Sequence, residues 1–177
     1  MPTQPAEHAA GPGDGAAERV IRPATAADVP LILQFIRELA HYERLSHQVT
    51  ADEDGLRTTL FGDRPAAEVL ICLQGDKPVG FALYFTNYST FLAKPGIWLE
   101  DIYVQPEARG CGHGKALLRA VAETAHQRGA GRMEWAVLDW NRPARDFYES
   151  LKAEPLTDWI IHRVTGDSLR RLAGDGG

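Results

Sequence analysis

Two stretches of the sequence carry residue types that chemistry could use. The first is Arg109-Gly110-Cys111-Gly112-His113-Gly114-Lys115, in which glycine takes every second place. A Cβ at such positions would hold a phosphate off the backbone and would penalise positive φ. Without it, successive N–H groups can turn toward an anion, helped by the free donors and positive dipole end of a following helix. The motif therefore points to a bound phosphate or pyrophosphate. The triphosphatase pattern G-x-x-x-x-G-K-[ST] is not met, because Ala116 follows Lys115 and Arg109 stands five places before Gly114. The dinucleotide pattern G-x-G-x-x-G fails as well, although Glu134 stands about 20 residues on, where a ribose-binding acid would be placed.

The second stretch is Glu100-Asp101, set inside the apolar run IWLEDIYV. Neighbours in a strand alternate between faces, so the two carboxyls are expected on opposite sides of a sheet. A charge among apolar neighbours is expensive unless it faces a cleft or a partner. Partial burial also raises a carboxyl pKa toward neutrality, which suits a general base. Farther along, Tyr148 follows Asn141 by seven residues, two helical turns on one face, where a phenol can act as a proton donor.

The elements that must hold these residues follow from periodicity and punctuation. Residues 20–22 read as a short strand, and Thr25 with Asp28 forms a capping-box start for a helix ending near Arg44, with Ile32, Phe35, Ile36 and Leu39 on one face. Thr50 with Glu53 starts a second helix that runs through Leu60 and stops before Gly62. Residues 68–74 and 79–88 form a hairpin around Gly75-Asp76-Lys77-Pro78, and 97–104, apolar on both faces, is a central strand beside them. Leu117, Leu118, Val121, Ala122 and Ala125 mark a helix ending at Gly129, followed by a strand over 133–138. A helix carrying Ala144, Phe147, Tyr148 and Leu151 comes next, and a last strand over 159–164 closes the chain. The fold class is α/β (α+β).

Length and composition agree with one ordinary domain. The chain has 177 residues, 44% hydrophobic and 24% charged, values typical of globular chains, and no apolar run reaches the length of a membrane span. A formal net charge of -5 argues against nucleic acid, whose binders need a basic footprint. Cys72 and Cys111 are the two cysteines; they offer neither a disulfide framework nor a zinc spacing, so no metal is expected and a reducing, cytoplasmic compartment is the simpler reading. Cys72 is expected in the core, and a lone His113 as a solvated loop residue. Residues 1–18, rich in Pro, Gly and Ala with no apolar core, read as a disordered leader. Residues 19–172 form the domain and 173–177 a flexible tail.

Arg109-x-x-Gly112-x-Gly114 resembles the R/Q-x-x-G-x-G/A signature of the GCN5-related N-acetyltransferases (GNAT). The likeness extends to Ile21-Arg22-Pro23-Ala24-Thr25, Tyr42-Glu43, Leu99-Glu100-Asp101 and Asn141-Arg142-Pro143 with Phe147-Tyr148, which look like the diamine (spermidine/spermine) and thialysine acetyltransferase branch. The resemblance implies a mixed central sheet of about six to seven strands flanked by about four helices, with acetyl-CoA as cosubstrate. Its contacts would be the strand at Ile102, Tyr103 and Val104, the turn at Arg109, Gly110, Cys111, Gly112, His113, Gly114 and Lys115, and Asn141, Ala144 and Tyr148. In that likeness Glu100 receives the amine proton through water and Tyr148 is the general acid toward the leaving thiolate. Tyr42, Glu43, Glu100 and Asp101 meet a small-molecule amine, and backbone N–H groups at 102–104 face the developing oxyanion. A homodimer, with the last strand crossing between subunits, is expected by the same analogy. The chain departs from the branch at Asn87-Tyr88-Ser89-Thr90-Phe91, where the vertebrate polyamine enzymes place an Asp and a Trp, and at Lys152-Ala153, where Gly-Ala usually ends the helix. The alternatives are a protein N-terminal or lysine acetyltransferase and a non-catalytic coenzyme A-binding module.

Overall fold

A computed structural model describes residues 18–174. The expected leader therefore lies outside the described residues except for Glu18, and so do residues 175–177 of the expected tail. The chain divides into two compact units, residues 1–136 and 137–177.

The first unit is built on five strands, β1 (Arg19–Pro23), β2 (Glu68–Gln74), β3 (Lys77–Ser89), β4 (Lys94–Val104) and β5 (Met133–Trp135), ordered in space as in sequence. Every pairing is antiparallel except β4 with β5. That parallel step needs a crossover, which α3 (His113–Gln127) supplies. The β2–β3 hairpin closes on a two-residue loop, Gly75-Asp76, with Gly75 at φ 60°, which glycine adopts at little cost.

Helices α1 (Val29–Tyr42) and α2 (Glu53–Phe61) cover one face of this sheet. The expected capping box is formed: the Asp28 carboxylate accepts from the Thr25 N–H at 2.7 Å, and the same carboxylate pairs with Arg22. The start of α2 lies elsewhere than expected. Asp52, not Thr50, caps it, accepting from Gly55 N at 2.8 Å, because a carboxylate in extended conformation directly precedes the first turn. Phe35 of α1 stacks on Phe81 of β3 at 5.6 Å and tilts against Tyr103 of β4 at 6.2 Å, among Ile32, Val69 and Ile71. Leu117, Val121 and Ala125 bury the inner stripe of α3, and Cys72 is fully buried as expected.

The second unit contains α4 (Arg142–Ser150) and α5 (Gly166–Leu172). Asn141 caps α4, its side chain accepting from Ala144 N at 3.3 Å.

Four details of the expected architecture are corrected. Among the described residues the sheet has five strands rather than six to seven, and there are five α-helices rather than about four. Residues 159–164 form no strand; they run as irregular chain, since β-propensity makes a strand only against a hydrogen-bonded partner. Residues 133–138 shorten to the three of β5.

Candidate active site

The glycine-rich turn has the backbone its sequence calls for. Gly110 and Gly112 both lie in the left-handed region, at φ 79° and 78°, and Gly112 is the residue before α3. It has no side chain to cap the helix, so the first-turn N–H groups of α3 are left for an outside acceptor. A Cβ on Gly114 would meet nothing nearer than Val104 Cγ2, at 3.9 Å. Packing inside the chain thus does not require glycine there; what it keeps clear is the space before the helix end. The residues present fit a bound diphosphate. Cys111 and Lys115 are exposed on this turn.

His113 corrects its expectation. It is the first residue of α3 and only 3% exposed, with Nδ1 3.0 Å from Arg19 Nε and 3.5 Å from Cys72 Sγ. Burial, with the nearby Arg19 charge, lowers its pKa.

Arg109 is exposed, yet its side chain is held along the protein surface. Its Nε donates to Val104 O at 2.9 Å, and its guanidinium lies over the rings of Tyr42 (4.8 Å) and Tyr103 (5.7 Å). Gln105 makes a second tie between the end of β4 and α1, donating to both carboxylate oxygens of Glu38.

β4 pairs with β5 only over Ile97, Trp98 and Leu99, so the backbone of 100–104 has a partner strand on the β3 side alone. Among the described residues, no strand pairs with Ile102, Tyr103 and Val104 on that edge. On the other edge the register breaks: Asp101 stands opposite Leu83 and Leu99 opposite Tyr84, so Glu100 is the extra residue of a β-bulge. The bulge overturns the expected alternation, because two residues opposing one no longer turn to opposite faces. Asp101 is pushed up to about 7 by burial and by the charges of Glu100 and Glu43. Burial raises Glu43 as well. Glu100 from the bulge and Glu43 from the end of α1 thus both act on Asp101. Glu100 itself is exposed and is held by Trp98 Nε1, which donates to its Oε2 at 2.8 Å.

In the second unit the Tyr148 ring lies 5.4 Å from that of Phe147, tilted by 52°. Asn141 and Ala144 are joined by the cap of α4. The first unit therefore brings together Tyr42, Glu43, Glu100, Asp101, the 102–104 edge and the glycine turn, while Asn141, Ala144 and Tyr148 belong to the second.

Sequence reasoning missed Arg19, Glu38 and the bulge. Arg19 is one of two arginines in β1, and nothing in the strand RVIRP sets it apart from Arg22.

Comparison with known proteins finds a match to the Acetyltransferase (GNAT) family over residues 33–152. The chain is 44% identical over 166 residues to a thialysine N-epsilon-acetyltransferase of Bos taurus, covering 88% of this chain and 97% of that one. It is 36% identical to an L-ornithine N5-acetyltransferase of Arabidopsis thaliana, covering 86% of each. Among solved structures, an integron cassette protein from the mobile metagenome of V. cholerae superposes with a TM-score of 0.74 at 24% identity, over 90% of this chain and 99% of that one.

Proposed function

The chain belongs to the GNAT acetyltransferase family and is an N-acetyltransferase, and on that premise we propose that it acetylates the primary amine of a small cationic acceptor, using acetyl-CoA. The acceptor class is a lysine-like amino acid, a diamine or a short polyamine. The relatives named for thialysine and for ornithine support it, both being amines on short amino-acid chains. The observation that carries the reading is the acidic trio Glu43, Glu100 and Asp101 beside the open edge of β4.

Acetyl-CoA would supply an activated acyl group as a thioester. The backbone of Gly110 to Lys115 would hold its diphosphate, and the open edge at Ile102, Tyr103 and Val104 would take its arm; Asn141 and Ala144 would add contacts. An amine reaches neutral solution as an ammonium ion, so the chain's carboxyls have two tasks, to attract the cation and to remove its proton. Glu43 with Tyr42 forms one wall. Glu100, fixed by Trp98 but open to solvent, receives the proton through water. Asp101, whose proton is lost near neutrality, can share it, which is the match between pKa and working pH that general-base catalysis favours. The Tyr148 hydroxyl would supply the proton that the departing sulfur requires.

The second unit exposes Trp159, Ile160 and Ile161, at 74%, 79% and 68%. This apolar run supports assembly as a homodimer through residues 159–164, which sedimentation would show as twice the chain mass. Two free thiols, Cys72 and Cys111, fit a reducing cytoplasm. No described helix is long and apolar enough to cross a membrane.

The test is release of coenzyme A thiol from acetyl-CoA with putrescine, spermidine, spermine, lysine, ornithine, thialysine and a few peptides offered in turn. Turnover with one or more of the small amines is expected. Turnover with peptides alone would replace the acceptor class by a protein, and binding without turnover would leave a coenzyme A-binding module.

A further inference from the structure

Arg19, at the first position of the edge strand β1, reaches the glycine turn of the cofactor site across the sheet. It pairs in register with Gln74, while Ile21, on the same face, pairs with Cys72. That face turns toward the start of α3, where Cys72 Sγ lies 3.5 Å from His113 Nδ1. The guanidinium donates along one edge to two acceptors: Nε to His113 Nδ1 at 3.0 Å, and Nη2 to Cys111 O at 2.5 Å. These acceptors flank Gly112, whose absent Cβ would sit 3.6 Å from Nη2.

We propose that Arg19 is a positioning residue of the diphosphate cradle, a clamp that fixes the backbone on both sides of the left-handed Gly112. The inference rests on the reading of this turn as the site of the cosubstrate's diphosphate. Two consequences of the hydrogen bonds support it. A carbonyl held by Arg19 is turned away from the cradle, so Cys111 O does not face an incoming anion, and the peptide plane that it shares with Gly112 is fixed. A guanidinium only donates, so His113 must accept at Nδ1 and carry its proton on Nε2. Nε2 is buried without a hydrogen-bond partner in the described structure. Leaving a buried donor unanswered is unfavourable, and the clamp at Nδ1 holds the ring in place despite that cost. The planar fork is required for this, since a lysine ammonium is a single point and does not span two acceptors in fixed geometry.

The experiment measures CoA binding by titration calorimetry, and steady-state kinetics, for wild type, Arg19→Ala, Arg19→Gln and Arg19→Lys, with circular dichroism showing that each variant is folded. Arg19→Ala and Arg19→Gln are expected to weaken CoA binding and to raise the acetyl-CoA KM about tenfold, the ~1.4 kcal/mol of one decade. The values of kcat and acceptor KM should stay within about twofold, as they do when only binding common to ground and transition states is lost. Arg19→Lys should fail to restore binding. CoA affinity unchanged in the Ala and Gln variants would overturn the clamp alone. So would full recovery with Lys, which would make Arg19 a mere charge. A wild-type protein that does not bind CoA would overturn the cofactor reading, and the clamp with it.

Discussion

The guanidinium of Arg109 lies over the ring of Tyr42, 4.8 Å from its centre. One residue belongs to the cofactor signature and the other to the wall assigned to the acceptor, so the two half-sites share a contact. Removing the ring should therefore be felt on both sides. Tyr42→Leu is expected to raise the acetyl-CoA KM about two- to fivefold, the equivalent of the ~0.5–1 kcal/mol of an exposed cation–π contact, in addition to its effect on acceptor KM. Tyr42→Phe keeps the ring and should leave the acetyl-CoA KM unchanged. Kinetics with each substrate varied in turn check this; a change confined to the acceptor KM would separate the two half-sites.

Asp101 predicts a pH signature. Its carboxyl holds a proton up to about 7, through burial and the charges of Glu100 and Glu43, whereas in the unfolded chain it ionises near 4. Between those values the folded protein binds more protons than the unfolded one, so this residue makes stability fall as pH rises from about 4 to 7, and no further above that. Asp101→Asn should remove the loss, so that its melting temperature gains on wild type across that window. The ratio of wild-type to variant kcat/KM cancels the acceptor's own ionisation and should rise through pH 7 if Asp101 takes the proton. A flat ratio would leave the base role with Glu100 alone.

Tyr148→Phe deletes one oxygen and leaves the ring against Phe147. Loss of a positioned general acid costs about 10²–10⁴ in rate, so kcat should fall about a hundredfold or more, while the far-UV circular dichroism stays that of the wild type. Full turnover in this variant would discard the acid role.

Lys152 stands two residues beyond the end of α4 with φ 62°, the left-handed conformation that ends many helices and that glycine adopts most cheaply. Lys152→Gly should stabilise the protein by about 0.5–1 kcal/mol, roughly 2–4 °C per kcal/mol for a chain of this size, with kinetics unchanged. A lower melting temperature would show that the lysine makes a compensating contact.

That strain at Lys152 was legible in the sequence, as were the Thr25–Asp28 capping box, the hairpin turn at Gly75-Asp76 and the left-handed glycines before α3, because each is decided by residues within a few places of one another. The pairing of carboxyls at Glu100 and Asp101 was legible only in part. The apolar setting foretold a raised pKa, which Asp101 has, but strand periodicity sent the two carboxyls to opposite faces. The bulge that prevents this is a register mismatch with β3, which no property of the run IWLEDIYV records. The same holds for residues 159–164, whose composition favours a strand while strand formation depends on an edge supplied from elsewhere. Arg19 shows the limit most plainly, since its partners lie more than 90 residues away.

That separation bears on how portable the signature is. Arg109 to Lys115 supply the glycines and the helix start, but the carbonyl before Gly112 is anchored by the first residue of β1 and the ring after it packs against a thiol of β2. Moved alone to another strand–helix junction, the seven residues would keep their conformational freedom and lose the two neighbours that restrict it. A transplanted cradle would need the outer strand with it.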